Sequence, residues 1–492
     1  MTNQATPRFA LPTPVAIKFG TSGWRGIMGK DFNFAGVRRA SAAVAGYLKT
    51  QARNPKVLIG YDTRFLSDDF ARACAAVLEE HGCRVSICAL ATPTPAIAFS
   101  ILRDKYDGAI NFTASHNPAE YNGLKFNGAD AGPALPEVTH EIERRAAELA
   151  GQNFDAGDAA PSDTAGFERV DLRDAYLGRL TELVRFDTLR SAKLPFVYDA
   201  LHGAGAGWLD KLLADQGIKF SSLRTERDVT FSGTGPDPSE GNLAPLRHAV
   251  LQTKAAAGIA TDGDADRFGI LDADGSFVSP NHILALLFDY LIETRGAKLG
   301  ASRSLATSHM LDAVAKLYGV PLYETPVGFK YVGDFIRKDA IVIGGEESAG
   351  LTVRGHVPEK DGLLACLLVA EMMAARHKPL RTQIQELFGR IGAQFWPIRV
   401  NLHLSAEVQA GLKARLAVNF QDFAGRKVQR VDRTDGCKLL FADGSWILMR
   451  PSGTEPVVRV YAEAATPEAS EKLAKDAQQW IDSKYTAAQN LE

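Results

Sequence analysis

Four short runs of this chain carry residue types that could do chemistry together. The first is TASHNP at residues 113–118. It follows the apolar stretch 107–112 and ends in Asn-Pro, a turn signal, so Ser115 and His116 are expected at the tip of a strand. A hydroxyl held there can act as a nucleophile or carry a phosphoryl group. Taken alone, the run also fits ordinary turn chemistry. The second run, DGDADR at 262–267, sets three carboxylates at alternate positions. In an extended loop Asp262, Asp264 and Asp266 point the same way. Three oxygen ligands can then converge on one hard cation, and magnesium suits them because it takes carboxylates plus a substrate phosphate oxygen. Calcium is disfavoured: Arg267 stands where an EF-hand loop needs Gly, and Ala273 where it needs Glu. A solvated acidic turn is the plainer alternative, but three adjacent carboxylates repel one another without a cation. Arg267 adds a fixed positive charge suited to phosphate oxygens.

The third run is GGEESAG at 344–350. Glu346 and Ser348 alternate, so both can face one ligand, and a carboxylate with a hydroxyl suits vicinal sugar hydroxyls. A strand-to-helix turn capped by Ser348 is the other reading. The fourth, RPSGTEP at 450–456, joins Arg450 to the hydroxyls of Ser452 and Thr454 around the flexible Gly453. Backbone N–H groups in such a turn form an anion-binding nest, and an ordinary hairpin turn is the alternative.

These loops need elements to position them. Strand signals at 56–60, 84–87 and 109–112 alternate with helical spacing at 34–50, 68–81 and 137–149, the pattern of a layered α/β domain. A polar stretch, 151–166, reads as a linker. A second α/β round has helices at 171–184 and 208–216 and strands at 196–198 and 258–261. The last of these strands leads into the acidic loop, and open α/β sheets usually bind ligands at such carboxyl ends. A third round runs from about 270 to 390. The last segment has strands at 395–402, 438–441, 446–449 and 457–462 and helices at 407–419 and 467–485, an α+β pattern. The glycine run 203–207 has the spacing GxGxG and reads as a strand-to-helix turn, not a dinucleotide fingerprint.

The 492 residues carry Lys+Arg 56 against Asp+Glu 58, a net charge of −2. That balance gives no support to nucleic-acid or polybasic membrane binding. The five cysteines match no zinc or CxxC spacing and read as free thiols of a reducing compartment. No signal peptide is visible in the first residues. The apolar stretches 283–292 and 363–375 are too short to span a bilayer and contain Asp289 and Glu371, so buried helices are expected. A cytoplasmic protein follows, monomer or dimer.

In this order, and with FGTSGWRG at 19–26, the four runs resemble the α-D-phosphohexomutase superfamily over about residues 17–464. The resemblance implies three tandem related α/β/α domains plus a smaller C-terminal α+β domain around a central cleft. The extents expected are 1–165 for a phosphoserine domain, 166–269 for a metal-binding domain, 270–391 for a sugar-binding domain and 392–492 for a phosphate-clamp lid. Ser115 matches the phosphorylated serine. Asp262, Asp264 and Asp266 match the magnesium ligands, with the Ser115 phosphate completing the set. Arg267 and Lys125 match basic residues of the reaction site, and Arg25 a cleft residue near the phosphoserine. Glu346 and Ser348 match the sugar-reading pair, and Arg450, Ser452, Gly453 and Thr454 the clamp for the non-reacting phosphate.

The sugar is read from finer features. EKDG at 359–362 and the Ala349-Gly350 that follows Ser348 resemble the glucose branch. There the residue at Lys360 is a general acid/base, and burial beside cations would lower its pKa toward the useful range. His116 is an alternative proton carrier. TPVGFK at 325–330, with Gly328 and Lys330, resembles that branch's sugar loop, with Val327 where Thr is frequent. The implied reaction moves a phosphoryl group reversibly between C1 and C6 of a hexose phosphate, from glucose 1-phosphate to glucose 6-phosphate, with glucose 1,6-bisphosphate as intermediate and activator. A mannose or dual enzyme is the runner-up, and glucosamine phosphate the third substrate. A magnesium-dependent sugar phosphatase and a silent sugar-phosphate sensor are the other classes.

Overall fold

The computed structural model describes residues 14–20, 23–152, 154, 167–296, 298–451 and 457–483. Most of the expected linker, and Ser452, Gly453 and Thr454 of the fourth run, lie outside them.

Four sheets succeed one another along the chain. In the first, Lys56–Tyr61 pairs in parallel with Arg84–Cys88 and Gly108–Phe112. Tyr121–Gly128 and Trp24–Ile27 then extend the sheet antiparallel. The sequence pattern gives no sign of these last two strands. Tyr121–Gly128 carries Asn122, Gly123 and Lys125 inside the fold, so its burial is not written in apolar residues. In the second sheet Phe196–Asp199 pairs in parallel with Ala257–Thr261, and Phe268–Asp272 returns antiparallel. In the third, Gly300–Ser304 pairs in parallel with Ile341–Glu346, and Gly350–Val353 returns antiparallel. The fourth is antiparallel throughout, from Trp396–His403 to Asp422–Phe423.

Two expected boundaries shift. Glu168–Val170 pairs with the first sheet, beyond 165. The strands Phe268–Asp272 and Phe277–Val278 belong to the second sheet, beyond 269. Both are edge or return strands, which sequence spacing assigns to whichever round comes next.

The first three domains share one device. A parallel strand runs into a tight loop and returns antiparallel, and the loop holds a non-glycine residue with positive φ: Ser115 at 52°, Ala265 at 56° and Ala349 at 67°. That conformation costs about 1–2 kcal/mol for an L-residue. Its recurrence at one place in three sheets marks them as a repeat, although the sequence shows no self-similarity.

One continuous apolar core spans all three domains, from Leu58 through Tyr176 and Trp208 to Leu368. The helices Pro280–Arg295 and Gly362–Arg376 lie within it. Their acids are paired, Asp289 with Arg376 and Arg390, and Glu371 with Tyr290 and Arg295. The fourth domain has its own core and meets the third at an apolar patch, Leu305 and Ala306 against Trp446, Leu448 and Tyr461, and through polar contacts such as the His309 N–H to Glu463 and Lys438 to Glu324. Buried Lys438 of the fourth domain donates to the Leu305 carbonyl at 2.6 Å beside that patch. All five cysteines are buried and unpaired. No helix among the described residues is long and apolar enough to cross a membrane.

Candidate active site

Ser115 stands at the tip after Gly108–Phe112, buried, with Oγ donating to Asp262 Oδ2 at 2.6 Å. His116 Nδ1 lies 3.5 Å from the same Oγ. The tip is held by Arg64, which sequence reasoning missed. Its fully buried guanidinium donates to the carbonyls of Ser115, Asn117, Pro118 and Tyr121 at 2.6–3.0 Å. Asp62 Oδ2 lies 3.2 Å from Arg64 Nε. One arginine thus satisfies a turn that secondary structure leaves unpaired, and it fixes the left-handed backbone at Ser115.

The acidic loop docks directly on this tip. A Cβ on Gly263 would stand 2.5 Å from the Ser115 carbonyl oxygen, so only glycine permits the approach. The three aspartates are buried, with carboxylate oxygens all within 4.8 Å of one another. Lys125 Nζ bridges Asp264 at 2.5 Å and Asp266 at 2.8 Å, and Lys360 Nζ reaches Asp266 at 2.9 Å. Thr94 Oγ1 donates to Asp264 at 2.5 Å and is itself held by Asn111 at 2.8 Å. Asp264 Oδ1 and Asp266 Oδ1 are buried without a hydrogen-bond partner. Orphaned carboxylate oxygens at such a convergence fit a hard divalent cation. The three aspartates would hold it, and it would supply charge stabilisation at phosphate oxygens.

The electrostatics follow from this packing. Burial and the neighbouring Asp264 and Asp266 push Asp262 well above the ordinary carboxylate range. Burial would raise Asp266 too, but Lys125, Lys360 and Arg267 outweigh it and hold it far below. Arg25, which donates to Asn117 Oδ1 at 2.8 Å, is drawn down to about 10 by burial and by Arg267. The same causes, with Arg25 added, keep His116 well below its usual value, hence neutral. Lys360 corrects the sequence expectation. Burial alone would lower its pKa, but Asp266 and Glu359 outweigh burial and raise it. The neighbours that decide its charge are acids, not cations.

Glu346 ends the strand Ile341–Glu346, buried, and accepts the Gly328 N–H at 2.7 Å. The loop 325–330 and the Glu346 carboxylate are therefore joined. Burial and then Glu347 push Glu346 up to about 7. Ser348 follows it in the same loop, half-buried. Val327 packs into the interface patch with the fourth domain. Lys330 lies over the Tyr331 ring at 5.3 Å, and burial lowers its pKa. Arg450 donates Nε to Asp435 Oδ1 at 2.9 Å. Arg399, also missed, pairs across the fourth sheet with Tyr461, and its charge reaches His116. Ser115, His116, Lys125, Arg25, the aspartates, Arg267 and Lys360 thus form one cluster. Glu346, Gly328 and Arg450 adjoin the junction of the third and fourth domains.

Three tandem α/β domains, a separate fourth domain and a serine facing an acidic triad define a phosphohexomutase. Four family models cover nearly the whole chain: phosphoglucomutase/phosphomannomutase alpha/beta/alpha domain I at 16–152, domain II at 174–275, domain III at 279–391 and the C-terminal domain at 403–479. The chain belongs to the phosphoglucomutase/phosphomannomutase family. A phosphoglucomutase/phosphomannomutase of Thermococcus kodakarensis is 30% identical over 454 residues, covering 92% of this chain and 95% of that one. A phosphoglucomutase of Komagataeibacter xylinus is 30% identical over 489 residues, covering 91% and 87%. A protein of Thermus thermophilus, solved as a candidate phosphomannomutase, superposes with TM-score 0.83 at 32% identity over 96% of this chain and 100% of that one.

Proposed function

We propose that the protein is a magnesium-dependent phosphoglucomutase, interconverting glucose 1-phosphate and glucose 6-phosphate through phospho-Ser115. The observation that carries this is the Ser115 hydroxyl, 2.6 Å from Asp262 in a cluster that sets acidic side chains against cationic ones. The acidic side chains are Asp262, Asp264, Asp266 and Glu359, and the cationic ones Arg25, Lys125, Arg267 and Lys360. A phosphoserine adds about −1.5 to −2 charges, which one divalent cation offsets.

In the forward half-reaction a sugar hydroxyl oxygen bonds to the phosphorus of phospho-Ser115 as the Oγ–P bond breaks. The hydroxyl proton passes to a base and Ser115 Oγ regains one. His116, beside Oγ, and Lys360, held cationic by Asp266 and Glu359, are the two candidate proton carriers. Lys125 and Arg267 stabilise the charge spread over the phosphoryl oxygens. The bisphosphorylated sugar then turns, and Ser115 attacks its other phosphate. Arg450 holds whichever phosphate is not reacting. The separate core of the fourth domain suits a lid that excludes water during the turn.

Glucose is favoured by Ala349-Gly350 after Ser348 and by EKDG at 359–362, the features that resemble the glucose branch, while Val327, the departure from that branch, packs against the patch shared with the fourth domain. The test is an assay with magnesium and a trace of glucose 1,6-bisphosphate, comparing kcat/KM for glucose, mannose and glucosamine 1-phosphates while tracking free phosphate. Preference for glucose 1-phosphate without phosphate release is expected. Equal turnover of mannose phosphate would make the enzyme dual, and phosphate release without isomerisation would make it a phosphatase.

Glu346 gives a second expectation. Its raised pKa means that ionising it opposes folding. The cost is absent below about pH 4.5, grows as pH climbs and is complete above about pH 7. Glu346→Gln keeps the acceptor for Gly328 and removes the buried charge. It should raise Tm at pH 8, by an amount equivalent to roughly 3 kcal/mol at most, and change Tm little at pH 4.5. In the same variant kcat/KM should fall about 10–100-fold, the loss of a charged hydrogen bond to the sugar. A thermal melt at the two pH values with an unchanged Tm difference would refute the ionisation argument.

A further inference from the structure

Asp435 lies in the turn between the lid strands Arg426–Asp432 and Cys437–Phe441, and the chemistry above does not use it. Its Oδ1 accepts Arg450 Nε at 2.9 Å, and its Oδ2 accepts the backbone N–H of Val327 at 3.2 Å. One carboxylate therefore holds the clamp arginine of the fourth domain and the sugar loop of the third. The next amide in that loop, Gly328 N–H, donates to Glu346 at 2.7 Å. A continuous path of bonds and backbone runs from Glu346 through Gly328, Val327 and Asp435 to Arg450, across the domain junction.

The aim of the carboxylate is fixed by its neighbour. Gly436 has φ of 101°, and a Cβ there would meet the Met449 carbonyl oxygen at 2.8 Å, so the turn is pressed onto the strand that carries Arg450. The side chains of Asp435 and Arg450 are 26% and 15% exposed, so the ion pair is partly screened and its own energy is small. Its consequence is positional. The Asp435 charge also reaches Lys330 in the same sugar loop.

Resting on the phosphohexomutase reading of this site, we propose that Asp435 is a positioning residue that makes the sugar loop and the phosphate clamp close as one unit. Ring hydroxyls and the distal phosphate are then gripped together. A bisphosphorylated intermediate that loosens one grip to turn stays enclosed by elements that cannot separate singly. Without Asp435, Arg450 keeps its charge and still attracts phosphate, but residues 325–330 no longer follow it.

The test uses the full chain as Asp435→Ala and Asp435→Asn, with Asp422→Asn on the same sheet as a control. Amide hydrogen exchange is followed in the peptide spanning 325–330, with and without glucose 6-phosphate. In Asp435→Ala this peptide, on the other domain, should exchange about 10-fold faster or more, and glucose 6-phosphate should no longer slow it. Asp435→Asn, keeping one acceptor, should fall between. In steady state KM should rise about 10–100-fold with kcat less affected. The demand for added glucose 1,6-bisphosphate should also grow as intermediate escapes, which a merely structural role would not produce. Unchanged exchange at 325–330 in Asp435→Ala overturns the proposal, as does an equal KM shift in Asp422→Asn. A wild-type chain that turns over no hexose phosphate would sink the mutase reading instead, and exchange measured with inorganic phosphate then decides the coupling on its own.

Discussion

Ser115→Ala is expected to abolish turnover, by about 10⁴-fold or more, because no other group can carry the phosphoryl. Hexose phosphate binding should survive, since Glu346, Arg450 and the sugar loop belong to other elements. The geometry supplies a control for misfolding. Ser115 sits at φ 52°, and Arg64 holds its carbonyl at 2.7 Å without touching Oγ. Both variants lose the Oγ bond to Asp262, but Ser115→Gly also relieves the left-handed strain, so its Tm should exceed that of Ser115→Ala while its activity is equally lost. Two proteins that differ in Tm yet are equally inactive and bind normally isolate the hydroxyl as the cause. Full activity in either would refute the phosphoserine assignment.

Removing the divalent cation is expected to be nearly as damaging. A chelator should reduce turnover by about 10³-fold or more, because phosphoryl transfer rests almost wholly on positioning and charge stabilisation. Magnesium should restore it. Asp264→Asn should weaken magnesium binding by at least about 100-fold, the upper range seen when only an outer partner of a ligand is lost. Calorimetric titration of metal-free protein measures this directly. The variant also leaves Lys125, 2.5 Å from Asp264 in the native chain, with one acidic partner fewer, so some loss of Tm should accompany it. Turnover that persists in chelator would remove the metal from the mechanism.

What the sequence made legible was local. Ser115, the aspartates, Arg267, Glu346 and Arg450 each sit in a run whose residue types and spacing carry their own chemistry. The apolar helices Pro280–Arg295 and Gly362–Arg376 were readable because they are buried all round. What stayed hidden depends on contacts between distant segments. Arg64 acts on carbonyls more than fifty residues away, and nothing in its own neighbourhood announces that. Thr94 meets Asp264 across 170 residues. The strand Tyr121–Gly128 lacks the apolar alternation of a buried strand because Lys125 must face the acidic loop. Burial beside cations would lower the pKa of Lys360, yet the sign is set by the acids that stand beside it, and that is tertiary information.

The charge arrangement around the acidic loop also governs how the molecule assembles. The second domain contributes three carboxylates within 4.8 Å of one another and only Arg267 in compensation. Lys125 comes from the first domain and Lys360 from the third. An excised second domain would have to protonate or splay its loop, because buried like charges raise each other's cost. The loop gains its cationic partners Lys125 and Lys360 only once all three domains have docked. The acidic cluster thus works as a keystone of the tertiary structure: a partly folded chain cannot hold it assembled, and whatever pries the first three domains apart dismantles it at the same moment.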